Sequence, residues 1–306
     1  MIQITYQLMP PADWLREFTA AIKQDDLEQA ISTIDTRKTA HAGTANAADK
    51  RSAAKALLQT AAADPNDALR IGRTLAVHAS PTARELGSIV LVRAYAAQPH
   101  RTLDVLRTLA NDDKWEVREW AAGATGEILD QHFDDAQPAL AAWLRHPSQH
   151  VRRALAVACM GAADGRSPER CDPLFDLLEP LLPDPAEEVR RNLGPFAIGG
   201  AMLKRYPDQT VTRIRRWAES DAEMVRWNTA MIFVAATAAD HIELALEVLS
   251  RFASDKRRLV WMAVGSALKN LAKRDPDRVV PELQAWLNDD RKLPAALAIR
   301  HTTLKD

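Results

Sequence analysis

The chain has 306 residues, 47% of them hydrophobic, with only 11 glycines and a formal net charge of −1. That composition excludes a disordered chain, and it excludes a protein that holds a polyanion through its overall field. Cys159 and Cys171 belong to no CxxC pair and no histidine stands at finger spacing, which predicts no metal site and no cofactor, in the reducing setting of a cytoplasm.

In chain order, residues 1–8 alternate apolar and polar and are expected to be extended. The N-terminus carries neither a basic segment nor a long apolar run, so no signal peptide and no membrane span are expected. Pro10 and Pro11 introduce a helix over residues 12–23, and Asp25 and Asp26 can cap the next one, whose face carries Leu27, Ala30 and Ile31. Residues 36–48, rich in Thr, Ala, Gly and Asn, are the best candidate for a mobile loop. Helices resume from about Lys50. Residues 1–66 read as an N-terminal helical cap and 67–306 as a repeat array continuous with it.

The array announces itself by a recurring turn rich in arginine that leads into an apolar helix. Taking Ala83, Val117, Val151, Val189, Val225 and Val260 as anchors, the steps are 34, 34, 38, 36 and 35 residues. A period of that size means stacked helix pairs, none of which buries its apolar face alone. The expected fold is all-α, a right-handed α-solenoid of helix pairs forming an armadillo-type superhelix. Outer helices run from Pro138 to Trp143, Pro207 to Trp217 and Pro276 to Trp286, with proline suited to a first turn and these tryptophans read as core. Residues 161–173 form the longest insertion. In residues 194–200 Pro195 is expected to kink the inner helix, and the glycines to permit close approach of another backbone or a ligand.

Arg118, Arg152, Arg190 and Arg226 directly follow anchor valines, with Asp112, Asp184 and Asp221 five or six residues before three of them. These are expected to form a structural ladder of ion pairs. The next positions read Glu119, Arg153, Arg191 and Trp227, and Trp261 follows Val260 directly. They lie about 100° round the inner helix and can face a concave surface, where arginine suits phosphate and tryptophan suits cations or C–H groups. Trp115 and Glu119 are four residues apart and share a helix face, with Trp120 on the neighbouring one. Between residues 251 and 278 eight Lys or Arg stand against three Asp, a local basic stretch in a neutral chain.

These segments, over residues 82–286, resemble the DNA alkylation repair proteins of the HEAT-like superfamily, typified by the glycosylases AlkC and AlkD. Lys114-Trp115-Glu116-Val117-Arg118-Glu119 is similar to a motif in which a tryptophan precedes a catalytic aspartate by four residues, and Arg153 falls where that family has a backbone-gripping arginine. The stretches over residues 184–191, 204–208 and 216–227 look like the AlkC repeat. The resemblance implies HEAT-like repeats, duplex DNA carrying alkylated bases as partner, and removal of N3- or N7-alkylated purines. In that reading Glu119 and Trp115 are catalytic, and Arg153, Arg191, Trp120, Trp227 and Trp261 are DNA-binding, in a monomer. The chain departs from the pattern in two respects: Glu119 replaces an aspartate, and Pro195, Phe196, Ile198 and Gly199 stand where the family has a further Trp and Arg. The competing readings are a non-catalytic scaffold for a protein partner or branched DNA, and a small-ligand sensor using residues 194–200.

Overall fold

The computed structural model describes residues 13–297; the extended segment expected over residues 1–8 lies outside them. The chain divides into two compact units, Met1–Thr125 and Gly126–Asp306. Among the described residues every regular element is a helix, apart from one isolated bridge between Lys38 and Ala45. None of these helices is long and apolar enough to cross a membrane.

The first unit contains α1 (Asp13–Lys23), α2 (Leu27–Asp35), α3 (Ala47–Thr60), α4 (Pro65–Ala76), α5 (Pro81–Ala94), α6 (Pro99–Leu109) and the start of α7 (Trp115–Gln131). The second contains α8 (Phe133–Leu140), α9 (Gln149–Ala162), α10 (Cys171–Leu178), α11 (Glu187–Asn192), α12 (Leu203–Arg205), α13 (Pro207–Ala218), α14 (Glu223–Ile232), α15 (Ile242–Ala253), α16 (Arg258–Ala272), α17 (Pro276–Leu287) and α18 (Leu293–Leu297). Proline opens α4, α5, α6, α13 and α17, where its missing N–H would have no intrahelical partner anyway. Pro138 is different: it sits inside α8, which then tightens into a 3₁₀ turn over Ala141–Arg145. Of residues 36–48, those from 36 to 46 form a loop, but a closed one, with Thr44 and Ala45 buried and the Ala45 N–H donating to Thr82 Oγ1 at 3.2 Å.

Anchors Ala83, Val117, Val151, Val189 and Val260 are all fully buried, and Val225 is half-buried. Trp143, Trp217 and Trp286 are core, as their places at outer-helix ends suggested. Trp217 meets Phe175 edge to face.

The arginine ladder exists in a different register from the one expected. The residue six before the anchor arginine, or before Trp261 in the last copy, first turns its own loop. His78, Asp112, His146, Asp184, Ser220 and Asp255 each accept, through the side chain, the backbone N–H two residues on. The arginine then donates back to carbonyls of that loop: Arg118 to Asp112 and Asp113, Arg152 to His146 and Pro147, Arg226 to Ser220. Only where the next loop offers an aspartate is there a rung between repeats. Arg84 holds Asp112, Arg152 holds Asp184 and Arg226 holds Asp255, at 2.6–3.2 Å. Arg226 also pairs with Asp221 of its own loop. Arg190 takes no rung.

The segment that breaks the repeat is Leu193–Met202, a π-helix of ten residues. A Cβ added to Gly194 would lie 2.6 Å from the Asn228 carbonyl oxygen, and one added to Gly199 would lie 2.5 Å from that of Ile232. The two glycines therefore let this wide helix press directly on the backbone of α14, which was the close approach expected of them. Asn228 adds a hydrogen bond to the Leu182 carbonyl at 2.9 Å.

Candidate nucleic-acid interface

In the first unit, α7 brings Trp115 and Glu119 to one exposed face, one turn apart. Trp115 is 58% exposed, the most solvated aromatic ring among the described residues. A Cβ built on Gly123, a further turn along, would meet nothing within 4 Å, so the space above this face is open.

Trp120 turns the other way. Its ring lies under the Lys50 ammonium at 4.8 Å and the Arg51 guanidinium at 5.8 Å. Lys50 is itself buried and pairs with the fully buried Glu85 at 2.8 Å. Burial pushes the Glu85 carboxyl above its ordinary range, with Lys50 pulling it back in part. Trp120 is thus the lid of a buried ion pair, a role that residue type and helical spacing did not distinguish from a DNA-facing wall.

In the second unit Arg153, on α9, is half-buried with its Nε 3.9 Å from Glu188 of α11. Arg191, on α11, is exposed and ion-paired with Glu187. Trp227, on α14, carries the Arg190 guanidinium 5.0 Å from its ring centre. Arg190, Arg191 and Trp227 are brought together in one groove of about 220 Å³, with Met231, Leu259 and Met262 as its apolar part. Trp261 is half-buried on α16 and is not among the residues lining that groove. In the basic stretch Arg251, Arg257 and Arg278 are neutralised by Glu219, Asp255 and Glu243. Lys256, Arg258, Lys269 and Lys273 have no ion pair among the described residues.

No cluster of His, Cys, Asp and Glu among the described residues can hold a metal. Cys159 and Cys171 are free and buried; burial pushes both thiols up, Cys171 to about 11.

Residues 195–304 match the family model described as DNA alkylation repair enzyme, and residues 74–161 and 103–180 match HEAT repeats. The chain thus holds a stretch similar to HEAT repeats, followed by one similar to DNA alkylation repair enzymes. That segment begins inside the π-helix and carries α12 to α18, including Trp227, Trp261 and the basic stretch. The HEAT matches cover α5 to α10 and with them Trp115, Glu119 and Arg153. No curated protein matches the chain in sequence. Among solved structures it is similar to AlkD2 from Streptococcus mutans, at 15% identity and a TM-score of 0.35, covering 95% of this chain and 100% of that one. It is also similar to an engineered protein, at 17% identity and a TM-score of 0.41, covering 94% and 77% of the two chains.

Two features escaped the sequence reading. Lys50 and Glu85 stand 35 residues apart, one repeat length, and that spacing is the only signal they offer. Arg190 shares the sequence position of the ladder arginines, directly after an anchor valine. The signal that separates it is Ser220, standing where Asp112, Asp184 and Asp255 receive the other rungs.

Proposed function

We propose that this protein binds duplex DNA and excises N3- or N7-alkylated purines by hydrolysing the N-glycosidic bond. The observation that carries the reading is the match of residues 195–304 to the DNA alkylation repair enzymes, joined to HEAT repeats that hold the Trp115–Glu119 face. The unpaired Lys256, Arg258, Lys269 and Lys273 supply cations for phosphates.

The chemistry asked of the protein is modest. An N3- or N7-alkylated purine is already cationic, so breaking its bond to C1′ returns the electron pair to the base and neutralises it. Positive charge then develops on the sugar, and water adds at C1′ with loss of a proton. A carboxylate fixed beside that carbon stabilises the cation, and an aromatic face excludes bulk water from one side. Glu119 takes the first role and Trp115 the second, while Arg153 and Arg191 contact phosphates.

The test is release of free alkylated base from methylated duplex DNA by the purified protein. Glu119→Gln is expected to lower the excision rate about a hundredfold, near 3 kcal/mol in the barrier, with duplex affinity unchanged within about twofold. Glu119→Asp keeps activity if the cleft accepts the shorter side chain. Undiminished excision by a folded Glu119→Gln protein removes the catalytic assignment. No excision by the unmodified protein on methylated DNA removes the enzyme reading.

A further inference from the structure

Arg190 breaks the rule that its equivalents obey. Arg84, Arg118, Arg152 and Arg226 are each spent on their own loop carbonyls, and three of them on a rung as well. The Arg190 side chain has no hydrogen bond or ion pair among the described residues, and its Nε is buried without an acceptor. The acid nearest in register, Asp221, is engaged by Arg226 at 2.6 Å. The guanidinium lies instead over Trp227 and lines the groove between α11, α14 and α16. Of the groove's charged groups, Glu187 and Arg191 satisfy each other, so Arg190 is the one charge left uncompensated there.

The rest of the groove is apolar and solvated. Leu259 is 38% and Met262 40% exposed, both large side chains that water penalises, and Met231 and the Trp227 ring continue the same floor. An unpaired cation beside an open floor of methionine and tryptophan calls for a ligand with an anionic group joined to a flat, apolar one. Duplex DNA presents phosphates and sugars to its surroundings while its base faces stay stacked inside. An unpaired nucleotide presents both, and stacking on aromatic and apolar side chains is how single strands are held.

We propose that this groove is a binding site for one unpaired nucleotide in DNA, with its phosphate on Arg190 and its base on the Trp227–Met262 floor. The inference rests on the proposed reading of the chain as a DNA-binding protein, and it adds a feature of the DNA that Glu119 chemistry does not require.

The test measures fluorescence anisotropy of the full chain with a labelled duplex and with the same duplex carrying one unpaired thymidine. The unmodified protein is expected to bind the bulged duplex about tenfold more tightly. Arg190→Gln removes the cation, and Met262→Glu places a carboxylate on the exposed floor. Both are expected to abolish the preference while leaving plain-duplex affinity within about twofold and the circular dichroism and melting temperature unchanged. Equal affinity of the unmodified protein for the two duplexes overturns this inference and leaves the DNA-binding reading standing. Binding of neither overturns both. A preference that persists in folded Arg190→Gln and Met262→Glu proteins places the unpaired nucleotide elsewhere and overturns the assignment of this groove.

Discussion

Arg152 grips Asp184 with two hydrogen bonds, of 2.6 and 3.2 Å, across one helix pair of the array. The same aspartate accepts the Ala186 N–H and so shapes the loop from which the next inner helix starts. A single carboxylate therefore sets a local turn and ties it to the preceding repeat, which makes these aspartates costly to lose.

Asp255 is the strongest case, because it takes Arg226, the Arg257 guanidinium and the Arg257 N–H together. Asp255→Ala is expected to cost about 2 kcal/mol in urea unfolding, since hydrogen bonds to a charged group are lost and two guanidinium groups lose their acceptor. Asp277→Ala, at an exposed position in the first turn of α17, serves as the near-neutral control.

Acid should weaken the array through these same groups. The hydrogen bond from Arg257 holds the Asp255 carboxyl well below the usual carboxylate range, ahead of an opposing effect of burial. At Asp112 burial raises the value, but Arg84 and the Lys114 N–H together outweigh it and leave the group lowered. A carboxyl depressed in the folded state stabilises fully above its unfolded value, about 3.9, and loses that contribution as pH falls towards the folded value. Stability should therefore fall below about pH 4 in a titration of unfolding free energy, and Asp255→Asn should flatten that fall.

The buried pair of Lys50 and Glu85 is expected to behave non-additively. Glu85→Leu alone leaves a buried ammonium without its carboxylate and should cost about 3–5 kcal/mol. Lys50→Met with Glu85→Leu should recover most of that loss, because an apolar pair needs no desolvated charge. A double-mutant cycle in urea reads the coupling, and additive single costs would show that the pair does not act as a unit.

Glycine positions give a contrast within one protein. Gly194→Ala and Gly199→Ala drive a methyl into backbone carbonyls of α14 and should destabilise by about 1–3 kcal/mol each. Gly123→Ala, on the open face of α7, meets nothing within 4 Å and should stabilise by about 0.5–1 kcal/mol. Thermal unfolding of the three variants is sufficient.

The repeat was legible because its cause is local and periodic. A small or apolar anchor recurs at every step, with an arginine directly after it in every copy but the last and a turn-forming residue six positions before that arginine, or before Trp261, and each leaves a mark in the sequence. The face shared by Trp115 and Glu119 was legible for the same reason, since helical spacing alone places them together. Trp120 was not. Whether its ring meets solvent depends on Lys50, which arrives from a helix 70 residues away and is brought there by stacking. The register of the ladder was also hidden, because an aspartate near an arginine in sequence gives no hint that its carboxylate is spent on the repeat before. Pro195 and the glycines of residues 194–200 signalled a disturbance, but its form, a ten-residue π-helix, follows from how closely α14 approaches.

The joints of the second unit are of two chemical kinds. Arg152 with Asp184 and Arg226 with Asp255 are ionic. Between them, at Arg190, the joint is made of bare backbone against backbone through Gly194 and Gly199, together with the Asn228 amide, none of which titrates. Acid loosens the Arg226–Asp255 joint and spares the middle one, whereas a single added methyl does the reverse. An array fastened in this way can be opened at chosen places by chemistry that leaves its other joints shut.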